Sequence, residues 1–292
     1  MAAVLLMSVG LCACTSSSPT AASTPKATEY YVSLGDSYAA GFQPTGRNGV
    51  GHTTTNGFAY QVPGLATARG YHLTLVNFGC GGATTASLLT SPGCPLLGPG
   101  APHYPRQSQA AAAEAFLQQH PGKIGLVSVS IGGNDVTDCA TSADPIGCVA
   151  KAVATINANL SILLPALRAA AGPGVPMVGI TYPDVVLGDY LSSNAADRTL
   201  ASLSVAAFKG VINPALQAQY AAVGATFVDV TAATGAYTPF TQTTHLAPYG
   251  TIPIAVAKVC QLTYFCQYGD IHPRTVGYTE IATLVTAALP ER

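Results

Sequence analysis

The chain alternates short apolar runs with longer stretches in which apolar positions recur every three or four residues. Residues 30–34 (YYVSL), Leu73–Asn77 (LTLVN), 124–131 (IGLVSVSI), 177–182 (MVGITY) and 225–230 (ATFVDV) are rich in β-branched and aromatic side chains. Four to eight residues with little polar alternation is the pattern of strands buried on both faces. Between them, 107–119, 148–171 and 195–223 are rich in Ala and Leu and read as helices, and a last helix covers about 275–289. Pro165 and Pro214 predict kinks or breaks in the second and third of these. Strands alternating with helices predict an α/β fold. The expected architecture is three layers, α/β/α, around a central, mainly parallel, five-stranded sheet of flavodoxin-like form. No internal repeat interrupts it, so one domain is expected over 29–292. Residues 235–268 follow neither period.

The N-terminal pattern is different. Residues 1–13 (MAAVLLMSVGLCA) have the length of a signal-peptide core and are too short to span a bilayer. Residues 14–28 (CTSSSPTAASTPKAT) are rich in Ser, Thr and Pro and read as a tether. Leu11-Cys12-Ala13-Cys14 resembles a bacterial lipobox, which implies a lipid on Cys14 and attachment to a membrane. An ordinary secretory signal cut nearby is the other reading. Both give an exported protein, as a cell-envelope lipoprotein or free in the medium. Past this segment no continuous apolar run reaches the ~20 residues of a membrane helix.

Composition narrows the function classes. Hydrophobic residues make up 49% and charged residues 9%, with 12 Lys+Arg against 13 Asp+Glu and a net charge of −1. A nucleic-acid binder needs a basic face to neutralise phosphates, and this charge balance argues against one. Excluding Cys12 and Cys14, the cysteines are Cys80, Cys94, Cys139, Cys148, Cys260 and Cys266. An even number in an exported chain predicts disulfides. Fifteen connectivities exist for six cysteines. Pairing of sequence neighbours, 80–94, 139–148 and 260–266, is expected because it closes small loops. A zinc site is not expected, since no C-x-x-C or H-x-x-x-H spacing occurs.

In parallel sheets, ligands bind beyond the carboxyl ends of the strands. Three of those ends are unusual in residue type. The first strand runs into Gly35-Asp36-Ser37-Tyr38, the second into Asn77-Phe78-Gly79-Cys80-Gly81-Gly82, and the third into Gly132-Gly133-Asn134-Asp135. Gly269-Asp270-Ile271-His272-Pro273 stands just before the last helix. These four blocks, in this order, resemble the SGNH (GDSL-type) hydrolases, in particular their secreted bacterial esterase and lipase branch. The resemblance covers nearly the whole domain. It implies an ester hydrolase with Ser37 as nucleophile and His272 as base. It also implies an oxyanion hole built from the backbone N–H groups of Ser37 and Gly82 and the side-chain amide of Asn134. The chemistry asks for these residue types. A serine hydroxyl is a weak nucleophile until a base takes its proton, and the tetrahedral intermediate needs convergent donors. Glycine at 82 would let the backbone approach without a Cβ. Ser37 alone would read as a helix N-cap, and Asp36 and Asp135 read as loop braces. The family spacing is D-x-x-H, whereas here the acid is two residues before the imidazole. Asp270 as the third member of a triad and a backbone carbonyl in that role both stay open.

The expected substrate is a small-molecule or lipid carboxylic ester, cleaved by a monomer with neither metal nor organic cofactor. An O-acetyl esterase or lipid acyl hydrolase of the cell envelope is the second reading. A surface substrate-binding lipoprotein that has lost catalysis is the third. Tyr237, Phe240, Tyr249, Tyr264, Phe265 and Tyr268, together with residues 41–56, would wall an acyl or aromatic pocket or else pack as core.

Overall fold

The computed structural model describes residues 28–292. The expectations for the signal peptide, for Cys14 and for all but the last residue of the tether lie outside the described residues. The apolar runs form five strands: β1 (Glu29–Gly35), β2 (Leu73–Asn77), β3 (Ile124–Ser130), β4 (Met177–Ile180) and β5 (Thr226–Val228). They lie in the order β2-β1-β3-β4-β5, and every pairing is parallel. The fold is therefore α/β, as the alternation of strands and helices predicts.

Alternate residues of each strand feed two cores. Val32 and Leu34 of β1 with Val127 and Val129 of β3 face one layer. That layer comprises α2 (Gln109–Gln119), α3 (Pro145–Ala171) and α5 (Asn213–Ala222). Tyr31, Leu126, Val178 and Val228 face the other layer, made of α1 (Phe58–Ala66) and α7 (Thr275–Ala287). Strands covered on both faces have no solvent side, which is why the runs lack polar alternation. Ser33 and Ser128 are polar exceptions in mid-strand, and the Ser128 hydroxyl is paired with Tyr31 Oη at 2.8 Å and with Ser33 Oγ at 3.2 Å.

The helices refine the sequence reading. α3 begins at Pro145, where the Asp144 carboxylate caps it by accepting from Gly147 N at 2.9 Å and proline suits the first turn. It runs on through Pro165, because that ring sits on the exposed face where the unbonded carbonyl meets water. Leu160, Leu163, Leu164 and Leu167 hold the opposite face in the core. α4 (Ala195–Ala207) leads into α5 through a π-helical turn, Phe208–Ile212, just before Pro214. The extra residue in that turn keeps Leu200, Leu203, Ala207, Ile212 and Leu216 on one side. By length and composition alone, Pro145–Ala171 and Ala195–Ala222 could cross a membrane. Both wall the same cavity, described below. Among the described helices of nine residues or more, two have no counterpart in the sequence reading. α1 contains Pro63 and Gly64, which break the pattern, and α6 (Ile254–Leu262) follows the hairpin Thr243–Leu246/Gly250–Pro253 in the stretch without a clear period.

Candidate active site

The turn after β1 is built to present Ser37. Gly35 has φ +144°, and a Cβ there would lie 2.1 Å from the Ser130 carbonyl oxygen, so no other residue fits. The buried Gln109 amide clamps this peptide from both sides: it accepts from Gly35 N at 2.7 Å and donates to Gly35 O at 2.9 Å. Asp36 caps the short helix Ser37–Ala40 by accepting from Tyr38 N at 3.0 Å, and its other oxygen accepts from Tyr182 Oη at 2.6 Å. Burial pushes the Asp36 carboxyl up to about 6, against the opposing hydrogen bonds from Tyr182 and Tyr38. Its contacts are those of a brace.

His272 arrives from the far end of the chain. Gly269, at φ +68°, ends the short helix Phe265–Tyr268 and turns the chain into Asp270. Tyr38 Oη then donates to Ile271 O at 2.6 Å, so the residue next to Ser37 ties down the loop that carries the imidazole. The Phe42 ring packs 4.5 Å from the imidazole, centroid to centroid. His272 Nε2 lies 2.8 Å from Ser37 Oγ, and His272 Nδ1 lies 2.7 Å from Asp270 Oδ1. The same carboxylate oxygen accepts from His272 N at 2.9 Å. Two residues apart on an extended loop thus suffices for an acid to reach its imidazole, and no backbone carbonyl contacts Nδ1 among the described residues. Burial alone would raise the Asp270 pKa, but the hydrogen bonds from His272 outweigh it and hold the carboxyl below its ordinary range.

Asn134 opens the short helix Gly133–Thr137 after β3 and lines the same cavity as Ser37. One of its amide hydrogens is donated to Ala83 O at 2.8 Å, which leaves the second available. Asp135 braces the same junction, accepting from Thr85 Oγ1 at 2.6 Å and Thr85 N at 2.9 Å. These bonds fasten the loop of Gly82 to the loop of Asn134. The N–H groups of Ser37 and Gly82 take no acceptor among the described residues. A Cβ at Gly82 would meet no protein atom within 4 Å, and the φ of +79° by itself calls for glycine there.

The six cysteines pair as Cys80–Cys94, Cys139–Cys148 and Cys260–Cys266. Each bridge lies beside one of the loops just described. The remaining histidines, His52, His72, His103, His120 and His245, lie elsewhere. His120 holds Phe116 O through Nδ1 at 2.8 Å. No group of three or more His, Cys, Asp or Glu side chains suited to a metal ion occurs among the described residues.

Ser37 opens into a cavity of about 440 Å³ between α3 and the run from α4 to α5. Its walls are mainly apolar and include Val149, Ile156, Leu203, Phe208 and Ile212. Of the two readings of the aromatic stretch, packing as core is the one the structure supports. Of the six aromatics between 237 and 268 only Phe265 lines the cavity, and none of residues 41–56 does. Tyr237 and Phe240 instead pack on a small core of Leu187, Ala255 and Val259, Tyr249 packs near Ile252 and Val256, and Tyr264 stacks on Tyr268. The cavity wall comes from helices that the sequence reading had placed only as cover for the sheet.

The model of the GDSL-like lipase/acylhydrolase family matches residues 31–285. The chain belongs to that family. It is an enzyme that hydrolyses ester bonds, which sets aside the reading of a binding lipoprotein without catalysis. Among solved structures, the phospholipase A1 of Streptomyces albidoflavus NA297 is similar in fold, with a TM-score of 0.51 and 21% identity over 90% of this chain and 99% of that one. The extracellular lipase of Streptomyces rimosus aligns with a TM-score of 0.49 and 20% identity, over 89% of this chain and 100% of that one. An acetyl-xylooligosaccharide esterase of Geobacillus aligns with a TM-score of 0.48 and 17% identity, over 89% of this chain and 93% of that one. No curated protein matches the chain.

Proposed function

We propose that this GDSL-family hydrolase cleaves carboxylic esters through an acyl-enzyme on Ser37. The observation that carries the proposal is the unbroken relay Asp270–His272–Ser37, with contacts of 2.7 and 2.8 Å. His272 Nε2 takes the Ser37 proton as Oγ adds to the ester carbonyl. Asp270 fixes the tautomer with the proton on Nδ1 and stabilises the imidazolium. The N–H groups of Ser37 and Gly82 and the free amide hydrogen of Asn134 receive the oxyanion. His272 then protonates the departing alkoxide, and the acid–base roles reverse as water releases the acid. No step calls on a metal or organic cofactor.

The apolar cavity favours an acyl chain longer than acetyl, because every methylene it removes from water is worth about 0.8 kcal/mol. That observation supports the lipid acyl hydrolase over the O-acetyl esterase. Export, with cleavage or lipidation at Cys14, fits the N-terminal pattern and the three disulfides, which persist in oxidising compartments. A monomer acting from residues 29–292 completes the reading.

The test is a series of p-nitrophenyl esters from acetyl to decanoyl, with Ser37→Ala as control. Turnover that rises with chain length and vanishes in Ser37→Ala is expected. Equal turnover by Ser37→Ala overturns the nucleophile, and a preference for acetyl overturns the acyl cavity.

A further inference from the structure

The cavity beside Ser37 opens through a rim that stays apolar out to the surface. Ile146 (66% exposed), Leu203 (40%) and Val211 (42%) all line it. Among the described residues, the other large hydrophobic side chains that face water, Val50, Leu65, Ile162 and Val276, do not. The three rim residues approach from two sides. Ile146 stands in the first turn of α3, whereas Leu203 and Val211 lie eight residues apart on the run from α4 into the π-helical turn. Below them the lining reaches Ile156 and Ile212 in the core.

Charge identifies what this rim meets. Neither Lys nor Arg lines the cavity among the described residues, and its ionisable side chains are Asp36, Asp189 and the two tyrosines beside Ser37, Tyr38 and Tyr182. Lys209, on the same helical run, holds its ammonium 5.6 Å from the centre of the Tyr237 ring. With no cationic side chain in its lining, the cavity offers phosphatidylserine or another anionic head group no partner, and Asp189 would repel one. An apolar rim leading into an apolar cavity instead matches acyl chains that never leave an apolar phase. A protein seated on the same rim would close the route to Ser37.

We propose that Ile146, Leu203 and Val211 dock the enzyme on a lipid surface without net charge, from which an acyl chain passes directly into the cavity. The proposal rests on Ser37 being the esterase nucleophile, and its test is chosen to be independent of turnover. The full chain carrying Ser37→Ala, and Cys14→Ser so that no lipid is attached, is sedimented with phosphatidylcholine vesicles. Binding is expected. Ile146→Gln/Leu203→Gln/Val211→Gln should weaken it by about tenfold or more, since three apolar contacts are lost. Val50→Gln/Ile162→Gln/Val276→Gln, also exposed but away from the mouth, should bind as the parent does. Adding phosphatidylserine should not strengthen binding. The single change Val211→Gln, at a site already in water, should shift binding in the same direction as the triple without altering the melting curve. Failure of the parent to bind, unchanged binding by the rim variants, equal loss in the second triple, or binding that grows with phosphatidylserine each overturns the docking rim. Absence of ester hydrolysis by the wild type would overturn the nucleophile while leaving the vesicle result standing.

Discussion

Asp184 is fully buried between the end of β4 and α4, and it offers a test of the fold that does not depend on the reaction. One carboxylate oxygen accepts from Ser204 Oγ at 2.8 Å, and the other has no partner. Burial pushes its pKa from 3.8 up to about 7, against the bond from Ser204 and the nearby amide groups of Val186 and Leu187, with Asp189 adding a like charge. The folded state therefore holds this proton more tightly than the unfolded chain, whose carboxyl titrates near 4. Stability linked to Asp184 is complete below about pH 4, declines as pH rises, and is lost above about pH 7. A lift of about three units caps the loss at roughly 4 kcal/mol. Asp184→Asn keeps the shape and removes the charge, so its advantage over wild type should be near zero at pH 4 and grow to about 2–4 kcal/mol at pH 8. For a chain of this size that is roughly 5–10 °C in Tm. Melting curves of both proteins at intervals from pH 4 to pH 8.5 measure the difference. Because the raised Asp36 is common to both, its titration cancels. A constant gap across the range, or a variant less stable at pH 8, would refute the assignment of a buried, protonated carboxyl.

Three other outcomes bear on the site and its supports. Asp270→Asn removes the charge that steadies the imidazolium and should cut kcat by about 10²–10⁴ with little change in KM; a loss below about tenfold would show that Asp270 does not serve His272. Asn134→Ala should lower kcat by about 10²–10³, and Asn134→Asp should not restore it, because a carboxylate has no hydrogen to donate to Ala83 O or to the oxyanion and would repel the latter. Cys139→Ala/Cys148→Ala removes the bridge that ties residues 138–141 to the start of α3 at the cavity wall. It should cost roughly 2–3 kcal/mol, and it should depress decanoyl ester turnover below the melting transition; an unchanged chain-length profile would argue against a shaping role.

The strands were legible because burial on both faces leaves one signature, a short continuous apolar run, at five places in the chain. Ser37 and Asn134 stood out as polar residues amid glycines at strand ends, and His272 through the block before the last helix that resembles the family's. Asp270 was half legible. Its spacing from His272 left the acid and a carbonyl in competition, and only the turn made by Gly269 brings Oδ1 to Nδ1. The supports were not legible. Gln109 grips Gly35 across 74 residues and Tyr38 grips Ile271 across 233, and neither contact leaves a local pattern. The cavity was misplaced because aromatic content points to apolar surface without saying which apolar surface. Its walls are helix faces whose small and branched residues, from Ile146 to Leu216, read equally well as core.

The central claim is that Ser37 Oγ is the atom that bonds to the acyl carbon. The most direct measurement is intact-mass analysis after exposure to a fluorophosphonate probe, with the modified peptide located by fragmentation. The account predicts one adduct, on Ser37, formed by the wild type, slowed in His272→Ala and absent in Ser37→Ala. An adduct on any other residue, or undiminished labelling of Ser37→Ala, would contradict it.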